Sequence, residues 1–274
     1  MSFLTIDQDR CKRDGICVAE CPLGLIEIKG EDAFPSPIGP AQELCITCGH
    51  CVAVCPHGAL SLTSMKSDNC APFRNNMLPG PEQLELYLKS RRSIRVYKDK
   101  PVPRAELTQV IDWAGYAPSG HNAQPVHWLV IEDTAEVRRL TQMVADWMDF
   151  MLKDNPAMAK AYHMDLVKMA WERGQDRILR GAPHLIIAHA PKDYPPALPA
   201  CTIAVTYLEL AAYALGLGAC WAGYFNAAAT FFPPLISALD LPAGHGSFGS
   251  MMIGYPKFTY HRIPFRNTPR IMWR

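Results

Sequence analysis

The sequence predicts an α+β protein, in which a mixed sheet flanked by helices follows a small cysteine-rich domain. The chain has 274 residues, of which 49% are apolar, so it can bury a large core. Beyond residue 82, helical patterns of apolar residues alternate with short strand-like stretches. Seven of the ten cysteines lie between Cys11 and Cys55. We therefore expect a domain over residues 1–66, a linker over 67–81 and a larger domain over 82–274.

Charge and composition narrow the classes of partner and the cellular location. The formal net charge is +1, from 27 basic and 26 acidic residues, so neither nucleic acid nor a membrane is expected as a partner. The start, MSFLTIDQDRC, lacks the charged and apolar regions of a signal peptide. The long apolar stretch Leu198–Gly223 is interrupted by Glu209, Gly216 and Gly218, which favours a buried helix leading into a strand over a membrane span. Clustered cysteines favour metal binding over disulfides, so we expect a cytoplasmic protein.

A compact cysteine motif occupies residues 45–56. Its sequence, CITCGHCVAVCP, has the spacing C-x2-C-x2-C-x3-C-P. In iron–sulfur loops of this spacing, three thiolates hold one cluster and the fourth holds the other cluster. Structural zinc sites usually separate two cysteine pairs by a longer spacer, so the spacing favours iron. This motif resembles that of the bacterial-type ferredoxins.

The first domain is an internal repeat with one altered ligand position. A shift of 34 residues superimposes three cysteines and a proline of the two halves, and it places Asp14 on Cys48. The two-cluster arrangement predicts an ordinary [4Fe–4S] cluster on Cys21, Cys45, Cys48 and Cys51. The other cluster is expected on Cys11, Cys17 and Cys55, with Asp14 or solvent at the fourth iron.

Two interpretations of Asp14 stay open. Carboxylate oxygen is a harder ligand than thiolate and holds iron of a sulfide cluster more weakly, so this cluster is expected to be a labile [4Fe–4S] or a [3Fe–4S] species. Alternatively, Asp14 is an exposed loop residue beside a three-iron cluster. His50 and His57 flank cluster cysteines and are expected to be loop-surface residues, and Cys70, in the linker, a free thiol.

The larger domain begins with a basic segment at the end of a helix. The helix starts at Pro81-Glu82 and runs into Arg91-Arg92-Ser93-Ile94-Arg95. Arginine offers paired donors that match phosphate oxygens, so these residues are candidates for a phosphate site, although a basic helix end is often only a solvated surface. A second helix starts near Pro103, and the small polar loop Ser119–Pro125 precedes a strand at 127–132.

The order RRSIR, helix, APSGHNAQPVHW resembles the nitroreductase-like FMN flavoproteins. The resemblance continues with Gly181-Ala182-Pro183, GLGACWAGYF and Gly254-Tyr255-Pro256, and covers about residues 82–274. It implies intertwined homodimers with two FMN molecules at the interface. The residues that it implies at the FMN phosphate and ribityl chain are Arg91, Arg92, Ser93, Arg95 and Arg262. It also implies that the backbone N–H of Gly223 lies at flavin N5, and that the isoalloxazine held mainly by the partner subunit is approached by Pro118, Ser119, Gly120 and Asn122.

Two parts of the larger domain leave its chemistry open. The helical segment 134–180 is expected either to pack in the core or dimer interface, or to form a substrate lid with Trp147, Phe150 and Trp171. No G-x-G-x-x-G lies at a strand–helix junction, so a Rossmann site is not expected. The flavin would be reduced by transient NAD(P)H, by an external carrier or by the clusters. No side chain stands out as a catalytic acid or base.

The sequence as a whole predicts an iron–sulfur flavoprotein oxidoreductase. Its clusters would pass electrons to FMN for two-electron reduction of an electron-poor small molecule: a nitroaromatic, a quinone or an activated alkene. Two alternatives remain at this stage. Reduced flavin could charge the clusters for an external carrier, or the protein could be an electron-transfer or redox-sensing protein without a substrate of its own.

Overall fold

The computed structural model describes residues 3–274. Their contacts divide the chain into two compact units. The first unit extends to Pro79 and also includes His121–Ala123, and the second comprises Gly80–Gly120 and Gln124–Arg274.

Short elements in two similar halves build the first unit. Its elements are β1 (Leu4–Ile6), α1 (Ile16–Glu20), β2 (Ile26–Glu27), β3 (Ser36–Pro37), α2 (Ala41–Leu44), α3 (His50–Ala53) and β4 (Leu60–Leu62). β1 pairs antiparallel with β4, and β2 with β3. α1 and α3 each follow a glycine at positive φ, Gly15 (74°) and Gly49 (73°), a conformation that suits glycine. The two helices therefore start in the same way at equivalent points of the repeat.

The apolar core of the first unit is small. Its buried members are Leu4, Cys17, Ile26, Cys51, Val52, Leu60 and Leu62, so two of the predicted cluster ligands are part of the core itself. The beginning of the predicted linker packs against this unit, because Ser67 Oγ donates to the Gly58 carbonyl (2.8 Å) and Asp68 pairs with Arg10 (2.8 Å). Regular structure therefore continues a few residues past the predicted domain end.

A four-stranded sheet surrounded by helices forms the second unit. Its elements are α4 (Pro81–Ser90), α5 (Arg104–Ala114), β5 (His127–Ile131), α6 (Thr134–Asp154), α7 (Pro156–Ala161), α8 (Met164–Glu172), β6 (His184–Pro191), α9 (Ala197–Ala214), β7 (Gly218–Trp221), α10 (Gly223–Phe231), α11 (Pro233–Ala238) and β8 (His245–Gly254). Asp133 caps α6 by accepting from Ala135 N at 2.9 Å, and Glu136 and Lys153 suit the helix dipole.

The strand order is β5-β6-β8-β7, and every pairing between these strands is antiparallel. The α+β class is confirmed, but the sheet lacks the parallel neighbours that a mixed sheet requires. β6 and β7 run in the same direction, as a strand–helix–strand order suggests. They are not neighbours, because β8 lies between them and pairs with both.

Apolar cores cover both faces of this sheet. On one face, α6, α8 and α10 contribute to a cluster that includes Leu140, Met148 and Phe225. On the other face, α5 and α9 pack with Val110 and Leu208. These side chains are fully buried, as the predicted length and apolar content require.

Helix α9 is the predicted apolar helix, but it is buried on one face only, with 44% of the helix buried. Its 18 residues have a mean hydropathy of 1.4, and within residues 3–274 it alone is long and apolar enough to cross a membrane. Glu209, which interrupts the apolar run, pairs with Arg91 at 2.6 Å. The helix leads into β7, with Leu217 buried at the junction.

The chain ends in a tail without helix or strand. After β8, Pro256 forms an isolated antiparallel bridge with Tyr97. Beyond that bridge, large side chains are exposed, including Phe265 (95%) and Trp273 (85%).

Candidate cofactor sites

Two cavities in the first unit divide the predicted cluster ligands into two sets. One cavity is lined by Cys21, Cys45, Cys48 and Cys51. The other is lined by Cys11, Asp14, Cys17 and Cys55. The structure therefore brings together the two sets that the repeat predicts. Cys21 of the first half joins the second set, and Cys55 of the second half joins the first set.

The surroundings of these sulfur atoms suit iron–sulfur clusters. Apolar side chains such as Leu4 and Ile26 line the cavity of Cys51, and Leu60 lines that of Cys55. Backbone N–H groups donate to two sulfurs at equivalent positions: Leu25 N to Cys21 Sγ and Ala59 N to Cys55 Sγ, each at 3.3 Å. Such N–H···S contacts and burial are among the features that set the reduction potential of a cluster.

Burial also affects the protonation of the thiols. Burial raises the pKa of the Cys51 thiol to about 11, and the neighbouring Cys21 and Cys48 thiolates add to the shift. Burial raises the pKa of Cys17 as well, with Cys55 and Asp14 adding to it. The positive charge of bound iron would favour the thiolate form of these groups.

The spacing of the cysteines favours a polynuclear cluster over a single zinc ion, because structural zinc sites usually separate two cysteine pairs by a longer spacer. Within residues 3–274, no three His, Cys, Asp or Glu side chains are placed to hold one metal ion. Each cavity is lined by four candidate donors, which is the number of ligands that a [4Fe–4S] cluster takes.

Asp14 faces the cavity of Cys11, Cys17 and Cys55. Its Oδ1 accepts from Ile16 N at 3.2 Å, which leaves the second carboxylate oxygen for iron or solvent. His57 is exposed, as its position after Pro56 predicted, and it also borders the same cavity. His50 lies at the surface and contacts Glu20 at 3.0 Å.

The second unit has a cavity of about 510 Å³, within the usual size range of small-molecule sites. We call it the arginine cavity, because Arg95, Arg177 and Arg180 line it together with Gly223. Its aromatic lining consists of Trp147, Tyr162, Trp221, Tyr224 and Phe231. Flat apolar walls and guanidinium groups suit a planar anionic ligand.

The charge of the arginine cavity is not neutralised by carboxylates. Among the ion pairs of the described chain, none involves Arg95, Arg177 or Arg180. Burial raises the pKa of the Cys220 thiol in this cavity, and the positive charges of Arg95 and Arg180 partly oppose that shift. The cavity therefore holds a positive potential that a bound anion would satisfy.

The other predicted phosphate residues lie elsewhere in the second unit. Arg92 and Arg262 line a separate cavity of about 740 Å³. Arg91 is held in the half-buried ion pair with Glu209, whose pKa burial raises even though Arg91 opposes the shift. Ser93 lies beside Cys220, where its side chain lowers the pKa of the thiol. The structure thus joins Arg95 and Gly223 in one cavity and Arg92 and Arg262 in another.

The predicted flavin loop has a strained backbone. His121 (φ 51°), Asn122 (φ 53°) and Gln124 (φ 45°) all have left-handed conformations, which cost roughly 1–3 kcal/mol each and cluster at functional sites. Ser119 Oγ accepts from Gln124 N at 2.9 Å, as in a fixed turn. Asn122 belongs to the first unit, where its Nδ2 donates to the Thr47 carbonyl at 3.0 Å, beside Cys48.

Sequence reasoning missed Arg177 and Arg180. They lie in the run DRILR directly before Gly181-Ala182-Pro183, in a segment predicted as packing or lid. Arg180 has φ 63° and lies in the turn before β6. Of the three lid candidates, Trp147 lines the arginine cavity and Trp171 lines another cavity, whereas Phe150 lines neither.

Comparison with known proteins agrees with this division of the chain. The sequence matches the family described as "Nitroreductase family" over residues 88–255, and the "4Fe-4S dicluster domain" over residues 9–60. An iodotyrosine deiodinase from Thermotoga neapolitana is 28% identical over 130 residues, which are 47% of this chain and 68% of that protein. A putative NADH dehydrogenase/NAD(P)H nitroreductase from Methanothermobacter thermautotrophicus is 28% identical over 139 residues, 50% of this chain and 59% of that protein.

A solved structure shares the fold of the second unit. The nitroreductase with bound FMN from Bacteroides fragilis is 23% identical, with a TM-score of 0.55, and the match covers 69% of this chain and 97% of that one. The two resemblances drawn from the sequence are confirmed, and so, at the level of the family, is the enzyme class of FMN-dependent oxidoreductases. The chain therefore belongs to the nitroreductase family and carries a 4Fe-4S dicluster domain before the family's own domain.

Proposed function

We propose that this protein is an iron–sulfur flavoprotein in which two clusters supply electrons to FMN for the two-electron reduction of an electron-poor acceptor. The observation that carries the proposal is the arginine cavity, because its charge is unneutralised and Gly223 opens its wall. The ligand sets of the first unit add the electron-transfer part. Family membership supports an oxidoreductase. The identity of the acceptor and the direction of electron flow are proposed.

The residues of the arginine cavity fit a flavin. Arg95 was expected at the phosphate, but it lies in a different cavity from Arg92 and Arg262, so we assign it a new role. Arg95 and Arg180 would hold the pyrimidine side of the ring, where a positive charge stabilises the anionic reduced cofactor. A Cβ added to Gly223 would meet no atom within 4 Å, so this side of its backbone is open to a ligand. Gly223 is the first residue of α10, where a backbone N–H has no partner within the helix. When bound, FMN would accept electrons one at a time and deliver them as a pair.

The phosphate end of FMN is proposed to lie with the remaining arginines. Arg91, Arg92 and Arg262 would bind it together with Ser93, as the family resemblance implies. Arg91 already uses its Nη1 on Glu209, and the guanidinium keeps other N–H donors for phosphate. The loop residues Pro118, Ser119, Gly120 and Asn122 are proposed to meet the isoalloxazine bound mainly by a partner subunit.

The first unit is proposed to hold one [4Fe–4S] cluster and one labile cluster. Cys21, Cys45, Cys48 and Cys51 would hold the former. Cys11, Cys17 and Cys55 would hold the latter as a [4Fe–4S] species with Asp14 or as a [3Fe–4S] species. Both sets line cavities with apolar walls, which restrict water at the sulfurs.

We propose that the second unit forms a homodimer in the reducing cytoplasm. Helix α4 exposes Leu84, Leu86 and Leu88 by 44–60%, and the tail exposes Phe265 and Trp273 still more. Exposed apolar surface of this extent marks an interaction surface. A second copy is the occupant that the family resemblance implies.

The acceptor is proposed to be a nitroaromatic, quinone or activated alkene, and the aromatic walls would stack such a molecule on the flavin. The name of the Methanothermobacter relative raises NAD(P)H as an outside electron source, and a separate carrier is the other candidate.

A stopped-flow experiment tests this function. Dithionite-reduced holoprotein is mixed anaerobically with 4-nitrobenzoate, a benzoquinone or an activated alkene, while flavin absorbance and cluster EPR are followed. The proposal predicts reoxidation of both cofactors by at least one acceptor, with formation of the reduced product. If none of the three reoxidises the protein but an oxidised ferredoxin does, the electron-carrier alternative replaces the proposal.

A further inference from the structure

Three histidines come together at one end of the sheet in the second unit. His127 begins β5, His189 lies near the end of β6, and His245 begins β8. His127 is the direct partner of His189, and His189 is the direct partner of Ser247. Directly opposed side chains of an antiparallel pair lie on the same face, and so do residues two apart on one strand. The register therefore places all three imidazoles and the Ser247 hydroxyl on one face.

The spacing of the three rings is that of ligands around one metal ion. The ring centroids are 5.0 Å apart for His127 and His245, 5.1 Å for His189 and His245, and 5.5 Å for His127 and His189. Three imidazoles on a tetrahedral ion with Zn–N bonds of 2.0–2.1 Å would place their centroids about 5 Å apart. His189 Nδ1 and His245 Nδ1 are 3.0 Å apart, a few tenths of an ångström less than two such ligands require.

The His189 ring is buried, and a buried hydroxyl lies on the same face of the sheet. His189 is 5% exposed. Ser247 Oγ is buried without a hydrogen-bond partner in the described chain, as an oxygen that awaits a ligand-bound water would be. Lys192 covers the position where a Cβ of Gly246 would point, and this is the opposite face of the strand.

We propose that His127, His189 and His245 bind one divalent transition metal ion, with Zn²⁺ as the ion to test, and thereby join β5, β6 and β8. The donor atoms do not converge on one point in this structure, in which His189 and His245 share a hydrogen bond. Binding would move the proton of that hydrogen bond to the Nε2 of its ring and turn the His127 ring toward the ion. The fourth position would be left to water near Ser247.

The test uses the full-length holoprotein, purified anaerobically with its cofactors. Zn²⁺ alone is titrated by calorimetry, unbound metal is removed, and zinc, iron and sulfide are measured in the same sample. X-ray absorption at the zinc edge then gives the ligand shell. We expect one zinc per chain with only nitrogen and oxygen neighbours at about 2.0–2.1 Å, and an unchanged iron content.

His245→Gln is the informative variant, because His245 is less buried than His189 and its loss leaves the core intact. It should weaken zinc binding by at least about tenfold, since loss of even outer partners weakens metal sites by 10–100-fold. His163→Gln is the matched control, because His163 is exposed and lies before α8. Absence of stoichiometric zinc in the folded wild type, a shell with sulfur at about 2.3 Å, or equal affinity in His245→Gln would each overturn the proposal.

Discussion

The two units of this chain reach their folds by different means. The first unit has strands of two or three residues and a core of seven buried residues, two of them cysteines that are proposed to bind iron. The second unit packs helices on both faces of a four-stranded sheet, with fully buried residues such as Leu140 and Leu208. A core as small as the first cannot offset chain entropy by itself. We therefore expect metal binding to contribute to the folding free energy of the first unit, and apolar burial to be sufficient for the second.

The largest effect is expected from Cys51→Ala, which should disrupt the first unit and leave the fold of the second unit intact. Cys51→Ala keeps a small apolar side chain in the core but removes a cluster thiolate. We expect loss of about four of about eight irons and proteolytic sensitivity before Pro79, because metal and fold are coupled in this unit. The second unit should keep its thermal midpoint. Cys70→Ala, at an exposed thiol, is the control and should keep all the iron. Full iron in Cys51→Ala would refute the ligand assignment.

A substitution at Gly218 tests whether tight packing stabilises the second unit. A Cβ on Gly218 would lie 2.6–2.8 Å from side-chain atoms of Ile94, whereas a Cβ on Gly223 would meet nothing within 4 Å. In flavin-free protein, Gly218→Ala should lower the free energy of unfolding of the second unit by about 1–3 kcal/mol through overpacking. Gly223→Ala should leave it unchanged. Denaturant titration followed by tryptophan fluorescence measures both, and the iron content should not respond to either variant. Equal stability of the two variants would show that this junction is less tightly packed than described.

Arg95→Gln tests whether the positive charge of the arginine cavity serves the flavin. Loss of a charge-assisted contact of about 1.5–3 kcal/mol should weaken FMN binding roughly 10–100-fold. Stability of both units and the iron content should stay at the wild-type level. Arg173→Gln, at an exposed position outside the cavity, is the control. FMN retained at full occupancy with wild-type affinity in Arg95→Gln would remove Arg95 from the flavin site.

The smallest effect is expected at the ion pair that holds Arg91. Glu209→Gln removes the carboxylate 2.6 Å from Arg91 and frees that guanidinium for a phosphate. FMN affinity should then rise by up to about tenfold, or ~1.4 kcal/mol. The matched control is Glu85→Gln, which breaks the exposed Glu85–Lys89 pair on α4. Unchanged FMN affinity, measured by fluorescence quenching, would show that Arg91 serves α9 packing and not the phosphate.

The sequence predicted the first unit in detail because its chemistry is local. Thiolates that share a cluster must follow a fixed spacing, so the repeat separates the two ligand sets that line the two cavities. The alternation of helices and strands likewise predicted α9 and its junction with β7. Asp14 was identified through the mismatch of the repeat. Whether its second carboxylate oxygen binds iron or solvent is the point that experiment has to decide.

The second unit was harder to predict because its site is assembled from distant segments. Arg177 and Arg180 reach the arginine cavity through the fold, and their run shows no cofactor spacing. Arg91 was predicted to bind phosphate. In the structure its Nη1 donates to Glu209, which is 118 residues away in the sequence. The antiparallel neighbours of β8 depend on long-range pairing, which no local pattern records. Local spacing thus predicts ligands better than it predicts long-range ion pairs or strand neighbours.

The central claim, one chain with two clusters and one flavin, is tested most directly by cofactor analysis. Protein purified without oxygen is analysed for iron, sulfide, zinc and FMN, and EPR spectra are recorded before and after reduction with dithionite. The account predicts one FMN and about seven to eight irons per chain, with matching sulfide and a cluster signal on reduction. A three-iron signal in the oxidised sample would place Asp14 off the metal, and its absence would favour Asp14 as a ligand. Zinc without sulfide, or protein without flavin, would contradict the account.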